Sequence, residues 1–239
     1  MIKLVIFDLD GTLLNTIDDL ADCTNYILKK NGFPTHEVEA YKYFVGSGVV
    51  TLLERALPKD ISETEFSEIH EEFLHYYEIH KEDKTVPYDG MVDTLEKLQN
   101  KGIMLAVATN KPHELLPDLM KRFFPTIEWA AVFGNRKGVP VKPNPQIVFD
   151  ILNTINNGRD AMHCVSTQSQ HCVSTQSQHR VSTNEILYVG DTAVDMETAE
   201  NAGITKIGVL WGFRTKEELE NANADFIIEH PSTLSKITQ

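Results

Sequence analysis

Two patterns of apolar positions alternate along most of this chain, and they predict different elements. Ile2, Leu4, Val5, Ile6 and Phe7 form an apolar run that stops abruptly at Asp8-Leu9-Asp10-Gly11-Thr12. A run of this kind, rich in β-branched residues and with no polar face, reads as a strand buried on both sides. Residues 103–108 (IMLAVA), 129–133, 185–189, 206–210 and 225–228 repeat the pattern. Between these runs the spacing turns helical. Val92, Leu95 and Leu98 share one helix face, residues 114–123 form a second helix, and Ile147, Val148, Ile151 and Leu152 mark a third. A further helix follows residue 191; Gly102 and Gly203 supply stops. Strands alternating with helices imply an α/β fold with a mostly parallel sheet flanked by helices on both faces.

One long stretch breaks the alternation. From residue 14 to 87 the pattern is helical: Ile17, Leu20, Ala21, Thr24 and Leu28 lie close to one face, with Asn31-Gly32 as a stop. Val49 to Leu57 reads as a short helix entered through Gly46-Ser47-Gly48, and Phe66, Ile69, Phe73, Leu74 and Tyr77 mark another. Strand character is confined to Thr85-Val86, and Pro87-Tyr88-Asp89-Gly90 is a turn signal. Residues 14–87 therefore read as a helical subdomain inserted into a core made of 1–13 and 88–239.

Composition adds only boundaries. The chain has 239 residues, 41% hydrophobic and 24% charged, with a net charge of −13. That charge argues against nucleic-acid or anionic-membrane partners, which call for a basic face. No apolar stretch approaches the roughly 20 residues that span a bilayer. The first strand is too short, and too quickly met by Asp8, to be a signal peptide. Cys23, Cys164 and Cys172 do not make a disulfide framework. The expectation is a cytoplasmic protein of enzyme size with reduced thiols.

The chemistry sits where strands end. Open α/β sheets place their ligand crevice beyond the carboxyl ends of parallel strands. There this chain carries Asp8 and Asp10, Thr109 and Asn110, and Asp191 and Asp195, with Lys142 in a loop between Pro140 and Pro143. Asp8 and Asp10, two residues apart, repel each other unless a cation sits between them. Mg²⁺ suits such a place, being hard, oxygen-seeking and a companion of phosphate. The set is coherent for phosphoryl transfer. One carboxylate can attack phosphorus and a second can move the proton of the leaving oxygen, while amide, hydroxyl and ammonium donors hold the phosphate.

The order Asp8-x-Asp10-Gly11-Thr12, a strand ending Thr109-Asn110, a Lys142-Pro143 loop and Gly190-Asp191-Thr192-x-x-Asp195 resembles the haloacid dehalogenase-like phosphohydrolase superfamily. Val45-Gly46-Ser47-Gly48-Val49, Leu53 to Leu57 and Thr109 to Pro112 are similar, more narrowly, to bacterial phosphoglycolate phosphatases. The resemblance implies a Rossmann-like sheet with an inserted helical cap, and a Mg²⁺-dependent hydrolase of a small phosphorylated metabolite, 2-phosphoglycolate being the leading candidate. It implies Asp8 as nucleophile and Asp10 as general acid and base, with Thr109, Asn110 and Lys142 binding the phosphate. Mg²⁺ would be held by Asp8, Asp191 and the main-chain carbonyl of Asp10, with Asp195 supporting its surroundings. Gly46, Ser47 and Gly48 would form a specificity loop. Dehalogenases and phosphonatases of the superfamily lack the second carboxylate, which this chain keeps as Asp10. Phosphosugar mutases carry a His about ten residues further on, where this chain has Leu20. Pyrophosphatases, sugar or nucleotide phosphatases and non-catalytic phosphate-ligand binders stay open as alternatives.

One feature lies outside this pattern. HCVSTQSQ occurs at 163–170 and again at 171–178, followed by His179-Arg180-Val181-Ser182-Thr183. The period of eight in His163, His171 and His179, and in Cys164 and Cys172, follows from duplication, so residues 157–184 read as a protruding polar insertion rather than a zinc site. Deleting residues 160–182 is expected to leave the thermal melt cooperative and turnover intact; loss of either would contradict that reading.

Overall fold

The computed structural model describes residues 1–157 and 181–238. Of the insertion read at 157–184, residues 158–180, with the repeat's histidines and cysteines, lie outside the described residues; at its end Val181 is buried with Ile186 and Tyr188, and Ser182 caps the turn Thr183–Glu185, so that end packs on the core and does not protrude. Six strands form one parallel sheet in the order β5-β4-β1-β6-β7-β8. They are β1 (Leu4–Phe7), β4 (Met104–Pro112), β5 (Trp129–Asn135), β6 (Ile186–Gly190), β7 (Thr205–Val209) and β8 (Phe226–Ile228). β1 lies at the centre because it is apolar on both faces: all four of its residues are buried. After β1 the chain builds outward on one side through β4 and β5. It then returns to β1's other side as β6. The carboxyl end of β1 is thus the point where the strand order reverses, and a ligand crevice opens there.

Helices cover both faces of the sheet. α5 (Met91–Asn100) and α6 (Leu116–Phe123) bury Leu95, Leu98, Leu116 and Leu119 in one layer with Val5, Phe7 and Val107. α7 (Gln146–Asn156) and α8 (Ala193–Ala202) bury Ile147, Ile151 and Ala199 against Leu4, Ile6 and Tyr188 in the other. Two further short helices, α9 (Lys216–Asn221) and α10 (Leu234–Ile237), complete the core. Each buries a single leucine, Leu219 or Leu234, too thin an apolar signal to predict a helix from. Among the described residues no helix is long and apolar enough to cross a membrane.

The segment between β1 and α5 has a hydrophobic cluster of its own. α1 (Ile17–Lys30), α2 (Val38–Phe44), α3 (Val49–Ala56) and α4 (Glu63–His80) gather Leu20, Ile27, Tyr41, Leu53, Ile69, Phe73 and Tyr77. α4 shows the rule plainly: its buried residues, Ile69, Phe73 and Tyr77, recur every four positions, and Ser62 caps it by accepting from Glu65 N. α2 is absent from the sequence reading because its seven residues bury only Tyr41. This helical unit joins the core through a two-stranded antiparallel ribbon, β2 (Leu14–Asn15) with β3 (Val86–Pro87).

Asp19 fixes that junction. Its buried carboxylate accepts from Lys84 N at 2.9 and 3.1 Å, Thr85 N at 2.8 Å and Thr85 Oγ1 at 2.7 Å. The first turn of α1 is thereby tied to the chain that returns to the core. Replacing Asp19 by Ala strands these donors, and hydrogen bonds to a charged group are each worth about 1.5–3 kcal/mol. Asp19→Ala is expected to lose stability on that scale in denaturant melts; an unchanged midpoint would contradict the strut role.

Candidate active site

Three separate pieces of the fold deliver acidic groups to the carboxyl edge of the sheet. Asp8 directly follows β1, and its N–H donates to Val189 O at 2.9 Å, extending the pairing with β6. Asp191 directly follows β6. Asp195 lies in the first turn of α8, where it shares a capping box with Thr192: Thr192 Oγ1 donates to Asp195 Oδ2 at 2.7 Å, and Thr192 N does so at 3.1 Å. Carboxylate oxygens of Asp8, Asp191 and Asp195 all lie within 4.8 Å of one another, and all three residues are buried.

Lys142 is the counter-charge. Its side chain is 1% exposed, and Nζ lies 2.7 Å from Asp195 Oδ1 and 2.8 Å from Asp8 Oδ1. It also donates to Ala108 O at 3.0 Å and Tyr188 Oη at 3.2 Å. The contact with Asp8 is a charge contact, not a directed bond, so buried Asp8 Oδ1 accepts no hydrogen bond among the described residues.

One ammonium does not balance three buried carboxylates. Burial, then the charge of Asp195, push the Asp8 carboxyl up to about 7 despite Lys142. Burial and the charges of Asp195 and Asp8 hold Asp191 well above the ordinary carboxylate range, opposed by the Phe213 N–H and Arg214. Burial pulls Lys142 down, but Asp195 and Asp8 outweigh it and hold it well above the ordinary lysine value. If the three acids are ionised, two negative charges remain without an ion-pair partner among the described residues. An all-carboxylate donor set with a hydrogen-bond-free oxygen fits a hard divalent cation.

Space for Asp191 is cleared by glycine. A Cβ on Gly11 would stand 2.3 Å from Asp191 Oδ2, and Gly11 holds φ +84°; a Cβ on Gly212 would stand 2.3 Å from Asp191 Cβ. Thr12 Oγ1 donates to Asp191 Oδ1 at 3.1 Å, and Phe213 N donates to Oδ2 at 2.8 Å.

A cleft opens beside this cluster, between sheet edge and helical unit. Asp8, Asp10, Thr109, Asn110 and Lys111 line its core side, and Leu20, Val45, Gly46, Gly48, Val49, Leu52 and Tyr77 its other side. Ser47 is not among the lining residues, although its glycine neighbours are. β4 extends past the predicted end at Ala108 to Pro112, with a register shift against β5 between Ala108 and Pro112. Thr109, Asn110 and Lys111 thus occupy an irregular strand end, and all three are buried.

The side chain of Asn110 works on backbone. Nδ2 donates to Gly46 O at 3.1 Å and Lys142 O at 3.3 Å, while Oδ1 accepts from Lys142 N at 2.9 Å. From the other flank Arg214 Nη2 donates to Val45 O at 2.9 Å. Two consecutive carbonyls of the 45–48 loop are therefore held by the core.

Asp8 and Asp10 open onto one cleft but have different partners. The sequence suggests a cation between them. In the structure Asp10 has its own lysine, Lys111, with Nζ at 3.0 and 3.3 Å from its two oxygens, and the acids that gather are Asp8, Asp191 and Asp195. The separation arises because β1 ends at Phe7 and the chain turns at Gly11, so Asp8 and Asp10 do not sit on one extended strand. Sequence reasoning assigned no role to Lys111, Tyr77 or Arg214. Lys111 adjoins Thr109-Asn110 and was within reach of a motif reading, whereas Tyr77 sits on an apolar helix stripe that reads as core.

The model of a family described as haloacid dehalogenase-like hydrolase matches residues 5–209. The chain is 29% identical over 242 residues to the phosphoglycolate phosphatase of Vibrio parahaemolyticus, covering 99% of this chain and 96% of that protein. It is 27% identical to the phosphoglycolate phosphatase of Mannheimia succiniciproducens, covering 98% and 97%. A crystal structure from Haemophilus somnus, described as a predicted phosphoglycolate phosphatase, superposes with a TM-score of 0.83 at 26% identity over 100% of this chain and 98% of that one.

Lys142→Met removes the only ammonium among the described residues in contact with Asp8 and Asp195 and leaves buried charge uncompensated, which typically costs about 3–5 kcal/mol. The variant is expected to melt earlier than wild type and to gain more from added Mg²⁺ than wild type does. Equal Mg²⁺-induced shifts in the two proteins would contradict the charge balance described above.

Proposed function

The chain belongs to the haloacid dehalogenase-like hydrolases, and on that premise we propose that it is a Mg²⁺-dependent phosphatase of a small phosphomonoester, 2-phosphoglycolate being the leading candidate. The observation that carries this reading is the division of labour between two carboxylates. Asp8 stands among Asp191, Asp195 and Lys142, while Asp10 stands in the cleft against Lys111. Two acids in distinct surroundings are what a nucleophile and a proton carrier require.

Asp8 attacks phosphorus, forming an aspartyl-phosphate, and the ester oxygen departs as the alcohol with a proton from Asp10. Asp10 then takes a proton from the water that attacks the phospho-enzyme, which releases phosphate and restores Asp8. Thr109 and the backbone at Asn110 face the transferring phosphate, and the Asn110 side chain holds that edge against Lys142 and Gly46. Lys142 orients Asp8 and supplies positive charge beside it. Asp8, Asp191 and the Asp10 carbonyl would hold Mg²⁺, with Asp195 beside them; bound there, the ion neutralises charge on the phosphate and on Asp8. Residues 14–87 act as a cap over the cleft, with core residues 1–13 and 88–239 supplying the chemistry.

The cap wall supports a small substrate. Tyr77 is the one hydrogen-bonding side chain among the described residues of that wall; Leu20, Val45, Val49 and Leu52 are aliphatic, so most hydroxyls of a sugar or ribose would go unpaired, and a site rejects groups whose polar atoms it leaves unpaired. Leu20 also brings an aliphatic group, not an acid or base, to the position where mutases place a histidine.

Asp8→Asn keeps the shape and removes the nucleophile, so phosphate release should fall by at least about 10⁴-fold, in line with losses seen when a nucleophile is deleted, while the melt stays cooperative. Across a panel of 2-phosphoglycolate, pyrophosphate, sugar phosphates and nucleotides, kcat/KM should be highest for 2-phosphoglycolate and vanish in EDTA. An active Asp8→Asn enzyme would overturn the mechanism, and preference for another ester would overturn the substrate assignment.

A further inference from the structure

Lys111 is the one lysine or arginine among the described residues lining the cleft, and neither the phosphate-binding set nor the acidic cluster includes it. Its side chain is 2% exposed. Nζ donates to Asp10 Oδ1 at 3.0 Å and Oδ2 at 3.3 Å and to the hydroxyl of Tyr77, and it lies 4.6 Å from the centre of the Tyr77 ring. An ammonium has three N–H donors. Asp10 takes one, shared between its oxygens, and Tyr77 takes another, so one remains. The Tyr77 hydroxyl accepts from Lys111, and its own proton has no acceptor among the described residues. Two donors, one from the end of β4 and one from α4 of the helical unit, thus converge beside Asp10 without a partner.

The chemistry of the leaving group says what fits there. Under the phosphatase reading, on which this inference rests, Asp10 hands its proton to the ester oxygen. In an ester with a carboxylate on the carbon bearing that oxygen, the carboxylate carbon is only two bonds from the atom that Asp10 protonates. A group in contact with Asp10 is therefore within reach of the carboxylate. We infer that Lys111 and Tyr77 form a carboxylate-binding subsite that selects α-carboxylate phosphomonoesters over uncharged esters of the same length. Tyr77 comes from the helical unit, so the subsite is complete only when that unit lies over the core, as it does here. The remaining described residues lining that side, Leu20, Val45, Gly46, Gly48, Val49 and Leu52, supply no competing cation.

The test uses two matched pairs on the full-length protein. 3-Phosphonopropionate and propylphosphonate are inert and differ only in carboxylate against methyl; 2-phosphoglycolate and ethyl phosphate are the corresponding esters. A charge-assisted hydrogen bond is worth about a 10- to 100-fold factor in affinity. Calorimetry with wild type should show 3-phosphonopropionate binding tighter than propylphosphonate by at least the lower figure. Lys111→Gln should bring the two constants together, and Tyr77→Phe should narrow the gap. In turnover, Lys111→Gln lowers kcat on both esters through Asp10, but it raises KM selectively for 2-phosphoglycolate, so the preference between esters collapses.

Equal wild-type affinities for the two phosphonates, or binding of neither, overturn the inference, and this measurement needs no variant to fold. A Lys111→Gln enzyme that loses kcat on both esters while keeping the wild-type preference also overturns it, because Lys111 would then only position Asp10. Failure of the phosphatase reading shows separately: wild type would release no phosphate from either ester, while calorimetry would still report on the subsite.

Discussion

A single buried ammonium standing among three buried carboxylates sets the terms for this molecule. Removing such groups from water costs several kcal/mol per ion, and the Lys142 pairs with Asp8 and Asp195 offset that cost only in part. The acids come from the end of β1, the end of β6 and the first turn of α8, and the lysine from the loop before α7. No local stretch of chain could assemble them. They meet because β1 lies between β4 and β6 in a parallel sheet, whose two apolar layers supply the stability that the polar edge does not. The residual negative charge suits a hard cation at that edge, and under the proposed function that cation would draw in an anion that this acidic protein otherwise repels.

The cleft divides its work between the two sides that line it. The core side carries the charged and amide groups, and the other side brings aliphatic residues and one phenol. Closure over an apolar wall strengthens each electrostatic contact beneath it by excluding water. Asn110, on β4, and Arg214, beyond β7, pin consecutive carbonyls of the 45–48 loop from opposite flanks, so the position of the helical unit is coupled to the sheet edge at which the acids gather. Asp19 fixes the other end of that unit at the ribbon.

The sheet was readable because its strands are buried on both faces and therefore lack polar interruptions; β1 and β6 need no tertiary information to be recognised. The long amphipathic helices were readable for the same reason, since α1 and α4 repeat their apolar positions over several turns. α2 and α9 were not: α9 buries only Leu219, and α2 buries only Tyr41, with Val38 and Phe44 packed half-exposed against the same cluster. At the site, Asp8, Asp191 and Lys142 announced themselves as charged residues at strand ends or between prolines. Lys111 and Tyr77 did not. A tyrosine on an apolar stripe is indistinguishable from core until its hydroxyl is seen to meet a lysine from another element, and that meeting depends on how the helical unit rests on the sheet. The glycines around Asp191 were likewise silent: that Gly212 leaves room for a carboxylate from a distant turn is a fact of packing.

On the proposed mechanism the phosphoryl group passes through Asp8. The most direct measurement is an acid quench of the enzyme during turnover of ³²P-labelled 2-phosphoglycolate, followed by peptide mapping. The account predicts acid-stable, hydroxylamine-labile label on Asp8. Label on any other residue, or turnover with no labelled protein at the shortest quench times, would contradict it.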